Sequence, residues 1–300
     1  MKYITRNGIV IDNTTNQDRL LHVLYSTRIG RNIIKFLIKP SVSNIIGRLL
    51  DTKLSALAID TFIKNNNIDM TQYIPKKFNS YNEFFIREIK PSARTMPSDS
   101  NVLASPCDGK ISAYKINKLS QFVIKETEYT LSSLLKDDKL AKEYNNGYCL
   151  VIRLSVDDYH RYFNIDNGKV LAVKKINGFF HTVNPVANDY YPIYKENTRE
   201  YTIIQGETFS KYIQMEVGAL MVGKIVNNQK SGKVSRFSEK GHFEFGGSTV
   251  ILLFKSNTVV IDNDLISNTD NGYETLIKLG EKIGVKQNLP FSVQAQKKSI

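Results

Sequence analysis

Apolar positions recur at two different periods along this 300-residue chain, and the change of period divides it. Between residues 17 and 70 the spacing is helical. Ile46, Leu49, Leu50, Leu54, Leu57 and Ala58 follow at three- and four-residue steps and form one apolar stripe. Upstream, Ile29, Ile33, Ile34, Phe36 and Leu37 alternate with Arg28, Arg31, Lys35 and Lys39, up to the break at Pro40. A basic amphipathic helix suits an interfacial position beside acidic head groups, while the plainer alternative is that both stripes pack on the rest of the protein. From residue 100 onward the chain changes to short β-type runs separated by turn residues. The pattern predicts strands over 102–104, 110–114, 148–154, 170–176, 202–204 and 212–226. Two more follow over 250–254 and 258–261, joined by a Lys-Ser-Asn link that reads as a hairpin. Residues 273–282 read as a closing helix, and the Lys-rich tail after Pro290 as loose. The expectation is an α+β fold: a helical, basic, membrane-facing region over residues 1–98, then a β-rich domain over 99–300.

Charge sharpens the first part of that picture. The chain carries a formal net charge of +12, and residues 1–98 hold fifteen Lys or Arg against seven Asp or Glu. An anionic partner, either nucleic acid or an acidic lipid surface, accounts for such asymmetry, as does a simple bias toward Lys codons. The two cysteines, Cys107 and Cys149, supply neither a disulfide framework nor metal-ligand spacing, which points to a reducing cytoplasm and to no metal. The first residues lead into no apolar core of a secretory signal. No stretch approaches the roughly 20 apolar residues that span a bilayer.

Three segments carry candidate chemistry, each weak when taken alone. Gly246-Gly247-Ser248-Thr249 runs directly into the apolar strand Val250-Ile251-Leu252-Leu253-Phe254. It lacks the Gly-Lys-Ser/Thr of a phosphate loop and the Gly-x-Ser-x-Gly of a hydrolase elbow, so a turn is the competing interpretation. Ser105-Pro106-Cys107-Asp108-Gly109-Lys110 holds an Asp-Gly pair that equally suits a hairpin turn. Asp157-Asp158-Tyr159-His160-Arg161-Tyr162 places one of the four histidines beside acids, an arginine and a tyrosine, which also describes an ordinary surface residue. Two further segments complete an ordered set: Phe84-Phe85-Ile86-Arg87, with Arg94 behind it, and Glu216-Val217-Gly218-Ala219.

In that order, over residues 75–262, the set resembles the phosphatidylserine decarboxylase family. The resemblance implies a proenzyme that cuts itself between Gly247 and Ser248 and turns Ser248 into a pyruvoyl cofactor. That group would take phosphatidylserine as a Schiff base and release carbon dioxide, leaving phosphatidylethanolamine. Ser248 Oγ would attack the Gly247 carbonyl, His160 would serve as base, and Asp108 would hold the imidazole in its tautomer. Many members carry a second histidine three residues after the first, where this chain has Phe163. His181 is therefore the alternative base, and Thr249 a candidate for orienting the scissile bond. His242 could line the pocket or sit in an exposed turn, and Cys107 reads as buried filler.

The implied partners are phosphatidylserine, an anionic membrane surface at the cytoplasmic face of the cell membrane, and the cleaved α and β chains themselves as a heterodimer. A homo-oligomer is compatible with this set; nucleic acid is not part of it. A pyruvoyl decarboxylase of a soluble amino acid is the enzymatic alternative, but gives no reason for the basic amphipathic region. A lipoyl- or biotinyl-type module is the non-enzymatic one, and Lys224 lacks the hairpin setting such a module needs.

Overall fold

The computed structural model describes residues 2–12, 16–124, 127–184, 187, 190–220, 224–244, 246 and 248–288. Its centre is a ten-stranded sheet. In spatial order the strands are Gly232–Val234, Gly168–Ile176, Arg199–Gly206, Lys211–Gly218, Ser248–Phe254, Tyr148–Leu154, Gly109–Lys115, Glu274–Ile277, Lys2–Ile4 and Val10–Asp12. Neighbours run antiparallel except Lys2–Ile4 with Glu274–Ile277. Ser248–Phe254 lies in the middle, its seven residues paired from Ser248↔Gly218 to Phe254↔Tyr212 on one side and from Ser248↔Leu154 to Phe254↔Tyr148 on the other. Its continuous apolar run follows from burial on both faces. Val250, Leu252 and Phe254 enter one core with Leu150, Ile152, Leu154, Tyr162 and Phe243. Ile251 and Leu253 enter the other with Cys149, Val151, Ile213, Met215 and Val217.

The periodic segments beyond residue 100 fold as strands, with three differences from expectation. The stretch over 212–226 divides into Lys211–Gly218 and Ile225–Asn227. The link after Phe254 is not a hairpin. Val259–Ile261 leaves the main sheet and pairs with Lys282–Lys286, which pairs in turn with Val102–Ala104. Residues 273–282 are not a helix either. Thr275, Ile277 and Leu279 are buried at alternate positions, which is strand periodicity, and Gly280 at φ +82° breaks the run. The helix lies upstream at Asn263–Asp270. The tail after Pro290 lies outside the described residues.

Helices Asn16–Ser26, Arg28–Leu37, Pro40–Leu50 and Ile59–Asn65 occupy the helical segment, and Pro40 opens the third of them. Thr27 makes the first corner. Its Oγ1 accepts the Gly30 N–H at 3.0 Å, while Arg31 Nη1 caps the preceding helix through the Ser26 carbonyl at 2.8 Å. The corner is so tight that a Cβ at Gly30 would meet Leu24 O at 2.4 Å. The helix Arg28–Leu37 is apolar on two sides: Gly30 and Ile34 are buried, whereas Ile29, Ile33 and Phe36 face outward with Ile29 77% exposed. Ile45, Leu49, Leu54 and Leu57 are likewise exposed, the last at 81%. Of the apolar stripe over residues 46–58, only part is used for packing. Among the described residues, no helix is long and apolar enough to cross a membrane.

Candidate active site

Ser248 opens the central strand and is fully buried. Cross-strand partners share a pleat face, so Ser248 lies on the face of Gly218 and Leu154, toward the core that holds Tyr162 and Phe243. Its Oγ is buried without a hydrogen-bond partner among the described residues. A buried hydroxyl left unpaired costs roughly 1–3 kcal/mol, so its presence in a central strand signals chemistry more than stability. Two residues before it, Gly246 sits at φ +136°, a backbone conformation that side-chain-bearing residues rarely adopt. Gly247, the other half of the expected cleavage site, lies outside the described residues. Thr249, also buried with an unpartnered Oγ1 among the described residues, takes the opposite pleat face with Val217 and Arg153.

His160 reaches the same end of the sheet from the turn that follows Leu154, the residue paired with Ser248. Asp158 builds that turn: its carboxylate accepts the Ser155 N–H at 2.7 Å and pairs with Lys110 Nζ at 2.6 Å, both side chains being buried. Burial opposes ionisation of Asp158, but Lys110, Lys278 and the Ser155 N–H together outweigh it and hold the carboxyl below its ordinary range. From the turn, His160 Nδ1 lies 2.9 Å from the Asp158 carbonyl. A carbonyl can only accept, so Nδ1 carries the proton and Nε2 holds a free lone pair. Nε2 is buried and unpartnered among the described residues. Burial lowers the His160 pKa to about 4, so the ring is neutral through the physiological range. The Phe243 N–H donates to the His160 carbonyl at 3.0 Å, five residues before Ser248.

Segment 84–87 forms the wall of this site. The Phe85 ring packs on the His160 imidazole at 4.2 Å between centroids. The Arg87 guanidinium lies between Phe84 and Tyr73, 4.8 and 4.3 Å from their ring centres. Arg161 is fastened to the Ile86 carbonyl at 2.8 Å and to Glu239 at 2.8 Å.

Asp108 does not hold the imidazole; the Asp158 carbonyl takes that place. The Asp108 carboxylate is engaged by Arg94 Nε at 3.0 Å, the Leu279 N–H at 2.8 Å and Lys278 Nζ at 3.4 Å. It lines a polar cleft of about 170 Å³ together with Arg94, Asp158, Tyr159 and Lys278. The Asp-Gly pair is no hairpin turn: Gly109 begins a strand that pairs with Tyr148–Leu154 and Glu274–Ile277.

His181 approaches from the other flank. Its ring stacks on Tyr191 at 4.5 Å, its Nδ1 lies 3.4 Å from Tyr25 Oη and its Nε2 3.5 Å from Glu196. Burial lowers its pKa to about 4 as well. Tyr25 and Tyr191 pack with the core opposite to that beneath Ser248. His22 is exposed, and His242 is half-buried near Glu239. Lys224 is exposed and paired with Glu244 at 2.6 Å, and Cys107 is a buried thiol whose pKa burial pushes up. Among the described residues, no cluster of His, Cys, Asp or Glu could hold a metal.

Two ion pairs around the site had no sequence signal, although Lys110 and Glu216 each stand in a motif segment. Lys110 anchors the turn that presents His160. Glu216, two residues from Gly218 on the same pleat face, is fully buried against Lys240 Nζ at 2.6 Å. Neither pair is close in sequence, so nothing short of the fold joins them.

A sequence model of the phosphatidylserine decarboxylase family matches residues 81–285. The chain is 44% identical over 266 residues to phosphatidylserine decarboxylase proenzyme 2 of Clostridium acetobutylicum, covering 88% of this chain and 91% of that one. It is 43% identical over 295 residues to a phosphatidylserine decarboxylase proenzyme of Clostridium botulinum, covering 96% and 100%. A third such proenzyme, from Clostridium tetani, is 42% identical over 277 residues, covering 90% and 92%. With the matched region spanning all five motif segments, the chain belongs to the phosphatidylserine decarboxylase family.

Proposed function

We propose that this protein is a self-cleaving phosphatidylserine decarboxylase whose reacting residue is Ser248 and whose processing base is His160. The observation that carries this is two buried orphans, the Ser248 hydroxyl and the unprotonated His160 nitrogen, both without partners among the described residues, with His160 on the turn that leaves Leu154, the cross-strand partner of Ser248. Register places Ser248 on the pleat face whose core includes Phe243, the residue that bonds the His160 backbone, which favours His160 over His181.

In the first reaction Ser248 Oγ attacks the carbonyl of Gly247 as His160 Nε2 takes the hydroxyl proton. The amide becomes an ester. Loss of the Ser248 α-proton then releases the Gly247 carboxylate, and hydrolysis of the remaining enamine frees ammonia and leaves a ketoacyl end. The fit is good: among the described residues the buried hydroxyl has no competing partner, and Gly218 places no side chain beside it. The resulting pyruvoyl group supplies a carbonyl that accepts electrons as carbon dioxide leaves the substrate. This chain's residues exclude water and orient the amine, and His160 is placed to exchange a proton.

The N-terminal helices supply the membrane contact. Ile29, Ile33, Phe36, Ile45, Leu49, Leu54 and Leu57 are exposed beside exposed Arg28, Lys35, Lys39, Arg48 and Lys53. Burying one such apolar side chain yields roughly 1.5–3 kcal/mol, against about 1 kcal/mol per basic residue near an anionic surface. Apolar insertion is therefore the larger contribution, and basic attraction selects acidic lipid.

The deciding experiment is the intact mass of purified protein and of Ser248→Ala. The wild type should give fragments 1–247 and 248–300, the latter with a ketone-bearing end, and should release carbon dioxide from phosphatidylserine. Ser248→Ala should give one uncut, inactive chain. Two pieces from that variant would refute the assignment.

A further inference from the structure

Asn197 is fully buried, between the helical turn Ile193–Glu196 and the strand Arg199–Gly206. Its carboxamide is used three times. Oδ1 accepts the His181 N–H at 2.9 Å, and Nδ2 donates to the His181 carbonyl at 2.8 Å and to the Gly218 carbonyl at 2.9 Å. The Gly218 N–H turns to the same side and donates to the Thr198 carbonyl at 2.9 Å. With both its backbone groups committed there, Gly218 offers neither to Ser248. The pair Gly218↔Ser248 is thus of the non-hydrogen-bonded kind, with Cα atoms about 4.5 Å apart in regular sheets. No ladder bond joins this pair directly: the ladder resumes at Val217↔Thr249, and beyond it the Gly218 peptide is held by the groups on its far side, Asn197 and Thr198.

We propose that Asn197 is a positioning residue for the chemistry at Ser248: it holds Gly218 in place beside the reacting serine and fastens the His181 segment to the same strand end. This rests on the assignment of Ser248 as the reacting residue. Its effect runs through geometry, since a displacement of about 1 Å at a reacting pair costs on the order of a hundredfold in rate.

The test uses full-length proenzyme made by cell-free translation, with conversion to two chains followed on denaturing gels at pH 8 and pH 5.5. Asn197→Ala should process at least about tenfold more slowly than wild type at both pH values. Asn197→Asp keeps the acceptor for the His181 N–H. When ionised it sets an oxygen against the Gly218 and His181 carbonyls; when protonated it regains one donor. Its rate relative to wild type should be low at pH 8 and recover several-fold at pH 5.5. A merely structural loss would not follow protonation. Wild-type processing of Asn197→Ala, or a pH-independent ratio for Asn197→Asp, overturns the proposal. Ser248→Ala runs alongside: if it too divides, the assigned bond has failed, and not the role of Asn197.

Discussion

At the residue scale the site turns on one imidazole whose environment sets its protonation. Burial removes water from His160, and the Asp158 carbonyl fixes the proton on Nδ1. A base with a pKa near 4 is weaker than one near 7, but it is unprotonated throughout the neutral range. Self-cleavage should therefore stay flat from pH 8 to about pH 5 and fall only near pH 4. A midpoint near 6.5 in the cleavage rate would show that His160 is not the base. Burial also links both histidines to stability. Unfolded, His160 and His181 bind protons near the ordinary 6.5; folded, they do so only near 4. The unfolded state then holds more protons between those values, so stability should drop as pH falls through that window. Replacing either histidine by Gln should flatten the pH dependence of thermal unfolding there. The ion pair Lys110–Asp158 was invisible to sequence reasoning, although Lys110 adjoins the Asp108-Gly109 motif, because its partner is 48 positions away.

At the element scale, the two-sided helix Arg28–Leu37 separates the face proposed to dock on a membrane from the face that packs on the protein. Ile34 and Gly30 face inward, and Tyr25 in the preceding helix reaches the Thr182 N–H at 3.1 Å, beside His181. Ile29, Ile33 and Phe36 face out. Replacing Ile29 and Ile33 together by Asp should leave self-cleavage intact and lower flotation with anionic vesicles about tenfold or more, because two insertions of roughly 1.5 kcal/mol each are lost. Salt at 1 M should weaken wild-type flotation without abolishing it. Full loss of binding in salt would make basic attraction the dominant contribution. The helical period here was plain in the sequence. Which half of each stripe meets protein and which meets solvent was not, since both halves are apolar.

At the scale of the whole molecule, the proposed cleavage before Ser248 would divide a sheet that cannot easily come apart. Strand Ser248–Phe254 is paired on both sides with strands of residues 1–247. The N-terminal strand Lys2–Ile4 lies parallel on Glu274–Ile277, and Arg6 bonds Asp264 at 2.7 Å and Asp262 at 2.9 Å. Arg153 pairs with Glu274, and Asp108 accepts the Leu279 N–H. The two mature fragments should therefore co-elute in gel filtration and separate only in denaturant. Separation in buffer alone would contradict this interlocked topology.

The amino-acid sequence by itself determined the period of each segment, the strand that follows Ser248 and the ordered motifs that point to one family. These are local properties, set by side-chain spacing and residue type. It did not determine the partners of Asp108, the link after Phe254 or the strand at Glu274–Ile277. Each of these depends on partners far along the chain: Arg94 and Leu279 for Asp108, Lys282–Lys286 for Val259–Ile261, and Gly109–Lys115 for Glu274–Ile277. Tertiary structure decided them because backbone hydrogen bonds and buried charges must all be satisfied at once, and only the assembled sheet supplies the partners.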